Sequence, residues 1–207
     1  PLWHVHGLRL QRAEMTEKCR AALWYSDHIE IEDSRLHGIK ALRECADVRM
    51  TGCDVVSPEF GWSTHRLTMR GCTADSEYFL LRASEIEAEE LSMTGKYSFQ
   101  YIENAVFERC RFDTKDAFWH AKNVTVRDSR IIGTQPLCYC KGLRLIDCEM
   151  EGTDLAFEKS EVDATLKTPV LSIKNPRSGY IQAPAAGEVI RDDPESKAEI
   201  VLGAAGA

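Results

Sequence analysis

The sequence lacks the features that would place the chain in a membrane or on nucleic acid. No apolar run approaches the roughly 20 residues that a membrane-spanning helix needs. The net charge is −7, and basic residues are mixed with acidic ones along all 207 residues, so no basic stripe exists for nucleic acid or anionic lipid. We therefore expect neither nucleic acid nor a membrane as a partner.

The N-terminus also lacks an initiating Met and a secretory signal. It reads PLWHVHGLRL, with no basic region followed by an apolar stretch. A chain that has eight Cys and no export signal is expected in the reducing cytoplasm, and not among disulfide-bonded secreted proteins. The chain starts in the middle of a repeat, which predicts that further coils precede Pro1.

What the sequence does contain is an apolar pattern that recurs at every nineteenth position. Segments 115–129 and 134–148 align without gaps at this offset. Equal steps from Val124 reach apolar residues in both directions, and a small insertion near 16–20 lengthens the first step by two positions. We call these residues the anchor column: Leu8, Ile29, Val48, Leu67, Ile86, Ala105, Val124, Leu143, Val162, Ile181 and Ile200. The residue two after each anchor is also apolar, which is typical of a short strand with one buried face.

Two further apolar columns complete each coil. One lies seven residues after the anchors and one six residues before them, with Gly, Ser or Thr at the turn between them. A coil of this length is too short for a pair of helices, so the pattern predicts an all-β fold, a right-handed parallel β-helix of roughly eleven coils. We predict one domain over 1–207, with regular coils over 1–170 and less regular coils over 171–207, where three of the seven Pro lie.

Several segments resemble a known family. AALWYSDHIEIEDS (21–34), YSFQYIENAVFERC (97–110), KDAFWHAKNVTVRDS (115–129) and GTQPLCYC (133–140) are similar to a microbial protein family of unknown function, which itself resembles the pectin-lyase-like right-handed β-helices. The resemblance runs from residue 1 to about residue 190. It implies the β-helix fold and additional N-terminal coils, and it implies no activity.

Two columns concentrate aromatic and polar side chains. The tryptophan column, five residues before the anchors, holds Trp3, Trp24, Arg43, Trp62, Leu81, Gln100, Trp119, Cys138 and Phe157. The polar column, four residues before the anchors, holds His4, Tyr25, Glu44, Ser63, Arg82, Tyr101, His120, Tyr139 and Glu158. Either these residues fill a wide corner of the solenoid, or they form a groove in which aromatic rings and polar groups bind a carbohydrate-like ligand. The predicted ligand-binding residues are Trp24, Tyr25, Trp62, Tyr101, Trp119, His120 and Tyr139. Which of the two columns faces solvent is left open.

The case for an enzyme is weaker. Paired carboxylates of glycosidases lie roughly 5–9.5 Å apart, whereas Glu44 and Glu158 are the carboxylates of the polar column and lie six coils apart. The candidates for acid–base chemistry, in a reaction like that of a polysaccharide lyase or glycoside hydrolase, are His120, Tyr101 and Tyr139, with Arg82 as a charge stabiliser. Most Cys fall in inward columns and are interpreted as small core residues, so no metal site and no cofactor is expected.

Two functional hypotheses follow from the columns. The first is a solenoid that binds a carbohydrate along the aromatic and polar face. The second is a structural or protein-interaction solenoid without enzymatic activity, in which the columns serve packing. Homo-oligomer formation through an uncapped solenoid end is also expected, because open sheet edges invite pairing.

Overall fold

Strands of the computed structural model, which describes residues 2–203, stack at the interval expected from the sequence. Asp27 pairs with Ala46, and Ala46 pairs with His65, so each parallel step advances the chain by one repeat. All the strand pairings are parallel, and no helix occurs within 2–203. The all-β solenoid is therefore confirmed, with about ten turns. Its right-handedness stays a prediction.

The strands are numbered in chain order. They are β1 (His6–Gln11), β2 (Glu14–Met15), β3 (Asp27–Glu32), β4 (Arg35–Leu36), β5 (Lys40–Ala41), β6 (Ala46–Thr51), β7 (Asp54–Val56), β8 (Glu59–Phe60), β9 (His65–Arg70), β10 (Thr73–Ser76), β11 (Tyr78–Phe79), β12 (Ser84–Glu89), β13 (Ser92–Lys96), β14 (Glu103–Glu108), β15 (Arg111–Lys115), β16 (Lys122–Arg127), β17 (Arg130–Ile132), β18 (Lys141–Cys148), β19 (Glu161–Leu166), β20 (Val170–Lys174), β21 (Ser178–Ala183), β22 (Ala186–Ile190) and β23 (Glu199–Leu202).

Four sheets form the walls of the solenoid. The largest has eleven strands in the order β1-β3-β6-β9-β12-β14-β16-β18-β19-β21-β23, and it contains the anchor column. A second sheet has seven strands in the order β17-β15-β13-β10-β7-β4-β2. The third wall is a regular sheet only over β5, β8 and β11, and β20 and β22 form a separate pair. No helix of the described chain is long and apolar enough to cross a membrane.

The core is a set of stacked columns, as the period-two alternation predicts. Ile29, Val48 and Val124 of the anchor column are at most 1% exposed. Toward the middle of the rod the core becomes aromatic, because Phe99 lies within 4.6–5.6 Å of four other Phe rings, measured between ring centroids. Burial of a large apolar side chain contributes roughly 1.5–3 kcal/mol, so these columns are the main source of stability.

The corners are made by residues in the left-handed region of backbone conformation. Phe99, Tyr101 and Asn104 have φ angles of 61°, 57° and 57°, and the equivalent residues of neighbouring coils repeat this pattern. A left-handed non-glycine residue costs roughly 1–2 kcal/mol. Hydrogen bonds between coils offset this cost: the Phe99 amide donates to the Phe79 carbonyl at 2.7 Å, and the Tyr101 amide donates to the Trp119 carbonyl at 2.8 Å. Apart from the exposed Leu2, the apolar column six residues before the anchors is thus buried at a corner and lies outside the strands.

Two departures from the regular repeat matter. The insertion in the first turn is confirmed. Glu14 of β2 pairs with Arg35 of β4, which is two positions more than one repeat. The regular spacing is restored at Ala22, which lies one repeat before the buried Ala41, so the two extra residues lie between Glu14 and Ala22. Near the C-terminus, however, the predicted continuation of the anchor column is wrong. Gly179, and not Ile181, lies opposite Val162, and Ile181 lies opposite Ala164.

The reason for this error is that glycine has no apolar side chain to reveal the anchor position. At Gly179 a Cβ atom would lie 2.0 Å from the backbone carbonyl oxygen of Val162. The coil from β19 to β21 is therefore shorter than the regular repeat by two positions, and the last two residues assigned to the anchor column occupy the next inward column.

Candidate functional site

The tryptophan column is tied to the backbone of the solenoid. Three of its indole N–H groups donate to a carbonyl 16 residues further along: Trp24 to Lys40 at 2.6 Å, Trp62 to Tyr78 at 2.8 Å and Trp119 to Gln135 at 2.7 Å. The Trp3 indole donates to the Ala21 carbonyl at 2.6 Å, 18 residues further along, because the first turn is longer. The side-chain amide of Gln100, in the same column, donates to the Asp116 carbonyl at 3.3 Å. Because the polar atom of each of these side chains is already used, this column holds adjacent coils together at a corner.

Both faces of Trp24 and one face of Trp62 are covered as well. The Arg43 guanidinium lies between these two indoles, 5.1 Å from the ring centroid of Trp24 and 5.2 Å from that of Trp62. Trp3 stacks on Trp24 with centroids 5.4 Å apart and an interplanar angle of 3°. Stacking of a flat ligand on Trp24 would have to displace these contacts, so the column fits the packing explanation better than the binding explanation.

The polar column faces solvent and forms a stacked ladder in its central part. We call Arg82, Tyr101, His120 and Tyr139 the ladder. The His120 ring is sandwiched, with its centroid 4.9 Å from that of Tyr101 and 4.9 Å from that of Tyr139, at interplanar angles of 5° and 11°. The Arg82 guanidinium caps the stack 5.8 Å from the Tyr101 ring centroid. Four consecutive coils therefore present one aligned row of polar side chains.

The polar edges of the ladder are free. Tyr101 is 46% exposed, Arg82 and His120 are exposed, and Tyr139 is half-buried. Within residues 2–203 no side-chain hydrogen bond or ion pair involves the Arg82 guanidinium, the hydroxyl groups of Tyr101 and Tyr139, or the ring nitrogens of His120. A ligand would meet ring edges carrying hydrogen-bonding groups, because the ring faces are stacked on one another.

The predicted ligand-binding residues therefore divide into three groups. Trp24, Trp62 and Trp119 are half-buried at the corner, with their indole N–H groups bonded to backbone carbonyls. Tyr25 is 39% exposed but lies apart near the N-terminal end, where it stacks with His4 at 5.2 Å between centroids. Tyr101, His120 and Tyr139 are brought together in the ladder, at the distances given above. Arg82, predicted as a charge stabiliser for His120, is separated from it by the Tyr101 ring.

The nearest carboxylate of the polar column is engaged elsewhere. Glu158 follows Tyr139 in the column, and its Oε1 atom forms an ion pair with Lys174 Nζ at 3.2 Å. Glu44 lies 3.8 Å from the Arg43 Nε atom, at the other end of the column. The two carboxylates remain six coils apart, as the sequence indicates, and do not act as a pair.

A second concave surface was missed by the sequence analysis. It is a groove of about 940 Å³ along the outer face of the large sheet, and it spans the coils of β1 to β14. Its lining contains three Arg (Arg9, Arg49, Arg66) and four carboxylates (Glu30, Asp47, Glu85, Glu87). Because the charges nearly balance, the groove does not select strongly for an ion of either sign.

Residues that precede the anchors and adopt a left-handed conformation line part of the groove. These residues are His28, Asp47, Arg66, Glu85 and Asn104, with φ angles of 53–57°. Their side chains form a raised row beside the sheet, held by pairs such as Arg66 and Asp47, whose Nε–Oδ1 and Nη2–Oδ2 distances are 2.6 and 2.9 Å. This contact lowers the pKa of Asp47. The Gly, Asp and Asn residues in this column are the sequence signal that could have revealed it.

The buried thiols of Cys138 and Cys140 are placed for packing and not for chemistry. All eight Cys are free thiols, and seven of them are buried. Burial raises the pKa of Cys138 and of Cys140 to about 12, so both remain protonated and weakly nucleophilic at neutral pH. Asp116 is also buried, and burial raises its pKa while its Oδ1 atom has no hydrogen-bond partner in the described part of the chain.

Comparisons with known proteins find a matching family model and no activity. A search of curated proteins finds no match to this chain. A family model described as "Protein of unknown function (DUF3737)" matches residues 1–134 and 129–202, which together span almost the whole chain. The likeness to pectin-lyase-like β-helices stays a prediction. The chain belongs to the DUF3737 family, a family of unknown function whose member described here is a parallel β-solenoid.

Proposed function

We propose that this chain is a non-catalytic binding solenoid that holds a carbohydrate-like, polyhydroxylated ligand along the ladder. The observation that carries the proposal is the row of four polar side chains on consecutive coils, whose hydrogen-bonding groups have no partner within residues 2–203. Sugar hydroxyls both donate and accept hydrogen bonds, and they match a row of tyrosine hydroxyl, imidazole and guanidinium groups.

The ladder is suited to binding because it is already ordered. Stacking of His120 between Tyr101 and Tyr139 fixes three side chains that would otherwise lose rotational freedom when a ligand arrives. Immobilising a flexible side chain costs roughly 0.5–1.5 kcal/mol, so a stacked row avoids part of this cost. The surface is open, however, and a ligand contacting only ring edges is expected to bind weakly, with a Kd on the order of 1 mM.

Polysaccharide cleavage is disfavoured by the geometry of the carboxylates. A glycosidase needs two carboxyl groups about 5–9.5 Å apart. His120 has no carboxylate beside it in the ladder, where its two neighbours are Tyr101 and Tyr139. We therefore propose binding and not hydrolysis or elimination.

The second candidate function is a structural or protein-interaction solenoid. It is favoured by the tryptophan column, because each indole N–H donates to a backbone carbonyl, as expected of aromatic residues that serve packing at this corner. If the ladder is only a further packing device, no oligosaccharide will bind. Association of copies through an end of the solenoid stays a prediction.

A reducing, cytoplasmic location is proposed on separate grounds. Eight free Cys in one chain, with seven of them buried, suit a compartment that keeps thiols reduced.

The experiment is a titration of the protein with neutral and acidic oligosaccharides at millimolar concentration, followed by tryptophan fluorescence. Trp119 is a built-in reporter, because its ring centroid lies 5.6 Å from that of Tyr139. A triple variant with Tyr101→Phe, His120→Phe and Tyr139→Phe keeps the stacked rings and removes the polar edges. We expect it to lose at least about tenfold in affinity, since each lost hydrogen bond contributes about 0.5–1.5 kcal/mol.

The matched control is Tyr97→Phe. Tyr97 also has a left-handed backbone, with a φ of 57°, and stacks on Tyr78 at 5.2 Å between centroids, but at a different corner. Its substitution should leave binding unchanged. If the parent protein shows no response to any oligosaccharide, the carbohydrate proposal is wrong and the structural or protein-interaction function is favoured.

A further inference from the structure

Two histidines and an aspartate converge where β1 and β3 begin. His6 is the first residue of β1 and pairs in register with Asp27, the first residue of β3. His28 follows Asp27 and has a left-handed backbone, with a φ of 54°. In a regular strand successive side chains point to opposite faces. The left-handed residue changes this alternation, so that Asp27, His28 and His6 are all solvent-accessible on the outside of the sheet.

The three side chains aim their donor atoms at one point. The His28 Nδ1 atom lies 2.6 Å from Asp27 Oδ1, and the His6 Nδ1 atom is hydrogen-bonded to the same oxygen. The two imidazole rings lie 4.7 Å apart between centroids. One donor atom from each residue can be chosen such that all three lie within 4.8 Å of one another. No metal-ligand grouping was expected from the sequence, because His6 and Asp27 are separated by the irregular first turn.

We propose that His6, Asp27 and His28 form a binding site for a divalent transition-metal ion, with Zn²⁺ as the reference ion. Two imidazole nitrogens and one carboxylate oxygen are a donor set typical of Zn²⁺, Co²⁺, Ni²⁺ or Cu²⁺. Ca²⁺ and Mg²⁺ prefer sites made of oxygen atoms alone, so this set disfavours them. This site is independent of the ladder and of the function proposed for it.

The spacing requires only a small rearrangement. Ligand atoms bound to one zinc ion at about 2.0–2.2 Å lie no more than about 4.4 Å apart. The donor atoms already lie within 4.8 Å of one another. The hydrogen bond of 2.6 Å between His28 Nδ1 and Asp27 Oδ1 would lengthen by side-chain rotation as both atoms bind the ion. In binding, each Nδ1 atom gives its lone pair to the metal, and the ring proton resides on the Nε2 atom.

A neighbouring pair of charged residues supports the site. Asp47 Oδ2 lies 3.9 Å from His28 Nδ1, and both oxygens of Asp47 accept hydrogen bonds from Arg66. Because Asp47 lies beside the ring nitrogen that would hold the ion, its negative charge would help to balance the charge of the ion. His28 and Asp47 also line the groove of the large sheet, so the proposed metal site adjoins that groove. Water or a small anionic group would complete the coordination there.

The test is isothermal titration of the full chain with ZnCl₂, together with the visible absorption of the Co²⁺-loaded protein. We expect one ion per chain and the intense absorption typical of Co²⁺ with few ligands. The variants are His6→Gln and His28→Asn. Asn tolerates the left-handed conformation that position 28 requires, so the second variant should fold. Each is expected to lower the affinity for Zn²⁺ by at least about tenfold.

The control is His37→Asn. His37 is a partly exposed His paired with one carboxylate, Asp54, at 2.8 Å, and it lies outside the cluster. Loss of binding in both cluster variants with retention in the control supports the site. The proposal is overturned if the parent binds no Zn²⁺ at millimolar concentration. Unchanged binding in both cluster variants would also overturn it, as would equal loss in the control, which would indicate nonspecific binding by surface histidines. Circular dichroism of each variant confirms that it is folded.

Discussion

The most informative test of the corner geometry compares two aromatic residues that lie two positions apart. Phe99 and Tyr101 both have left-handed backbones, with φ angles of 61° and 57°, yet Phe99 is fully buried and Tyr101 is 46% exposed. Replacing either by Ala leaves a left-handed alanine, so the backbone strain is nearly the same in both variants. The difference in stability between Phe99→Ala and Tyr101→Ala then reports side-chain packing alone.

The expected magnitudes follow from the contacts. The Phe99 ring meets Phe79, Phe107, Phe112 and Phe118 at centroid distances of 5.6, 5.1, 5.1 and 4.6 Å. Truncation of a buried Phe costs about 3–5 kcal/mol, and aromatic pairs contribute about 0.5–1.5 kcal/mol each beyond buried area. We therefore expect Phe99→Ala to lose about 4–5 kcal/mol. Tyr101→Ala removes one ring stack and one cation–π contact at the surface and should lose about 1 kcal/mol.

The assay is urea unfolding followed by far-ultraviolet circular dichroism, with the midpoint and the slope fitted for the parent and for both variants. A domain is typically stable by about 5–15 kcal/mol, so a difference of about 3 kcal/mol between the variants is readily measured. Refolding from urea should be checked, because repeat proteins can unfold in segments.

Equal losses in the two variants would refute the assignment of one residue to the core and the other to the surface. A loss below about 2 kcal/mol for Phe99→Ala would show that the aromatic cluster is not packed as described. Either result would also weaken the evidence that the ladder is exposed, because Tyr101 of the ladder lies at the same corner as Phe99.

Three further predictions concern a buried charge, two glycines and the thiols. Burial raises the pKa of Asp116, so the folded state should hold this proton more tightly than the unfolded chain. Ionisation of Asp116 therefore lowers the free energy of unfolding. This loss is absent below the ordinary pKa and grows as the pH rises through the raised pKa. Asp116→Asn should therefore raise the free energy of unfolding in urea by about 1–3 kcal/mol at about pH 7 and leave it unchanged at about pH 3, whereas equal gains at both pH values would contradict this. Gly95→Ala should cost at least about 3 kcal/mol in thermal melting, since its Cβ would lie 1.9 Å from a backbone carbonyl oxygen. Gly71 has a φ of +57° and open space around its added Cβ, so Gly71→Ala should cost only about 1 kcal/mol. Similar losses of stability in the two glycine variants would disprove the close approach of backbones at Gly95. In native protein a disulfide reagent should modify Cys19 rapidly and Cys140 only on unfolding, because burial raises the pKa of Cys140 to about 12; rapid reaction of all eight thiols would refute this.

The sequence was sufficient for the fold because the solenoid repeats its burial. An apolar residue at the same position of each coil, as at Val124 and Leu143, can be recognised without knowledge of the corners. The prediction failed at Gly179, where close approach of two backbones replaces apolar burial as the determinant of register.

The site was harder to predict because it depends on the left-handed corners. Alternation predicts that neighbouring residues face opposite sides, but it does not show which of Trp119 and His120 points outward. The structure places the indole N–H of Trp119 on a carbonyl and leaves the edge of His120 free. The cluster of His6, Asp27 and His28 was missed for the same reason, since only a left-handed residue brings two adjacent side chains to the outside.

The regular register of the central coils also has an evolutionary consequence. Ala105 lies directly over Ile86, and the strand residues that follow each of them are paired in the same register. Excision of residues 86–104 would therefore fuse two coils with each remaining side chain still in its own column, whereas loss of a single residue from β14 would turn that strand inside out. Genes encoding such a rod can lengthen or shorten by whole coils with little selective penalty, so we expect length variation among relatives in steps of one coil.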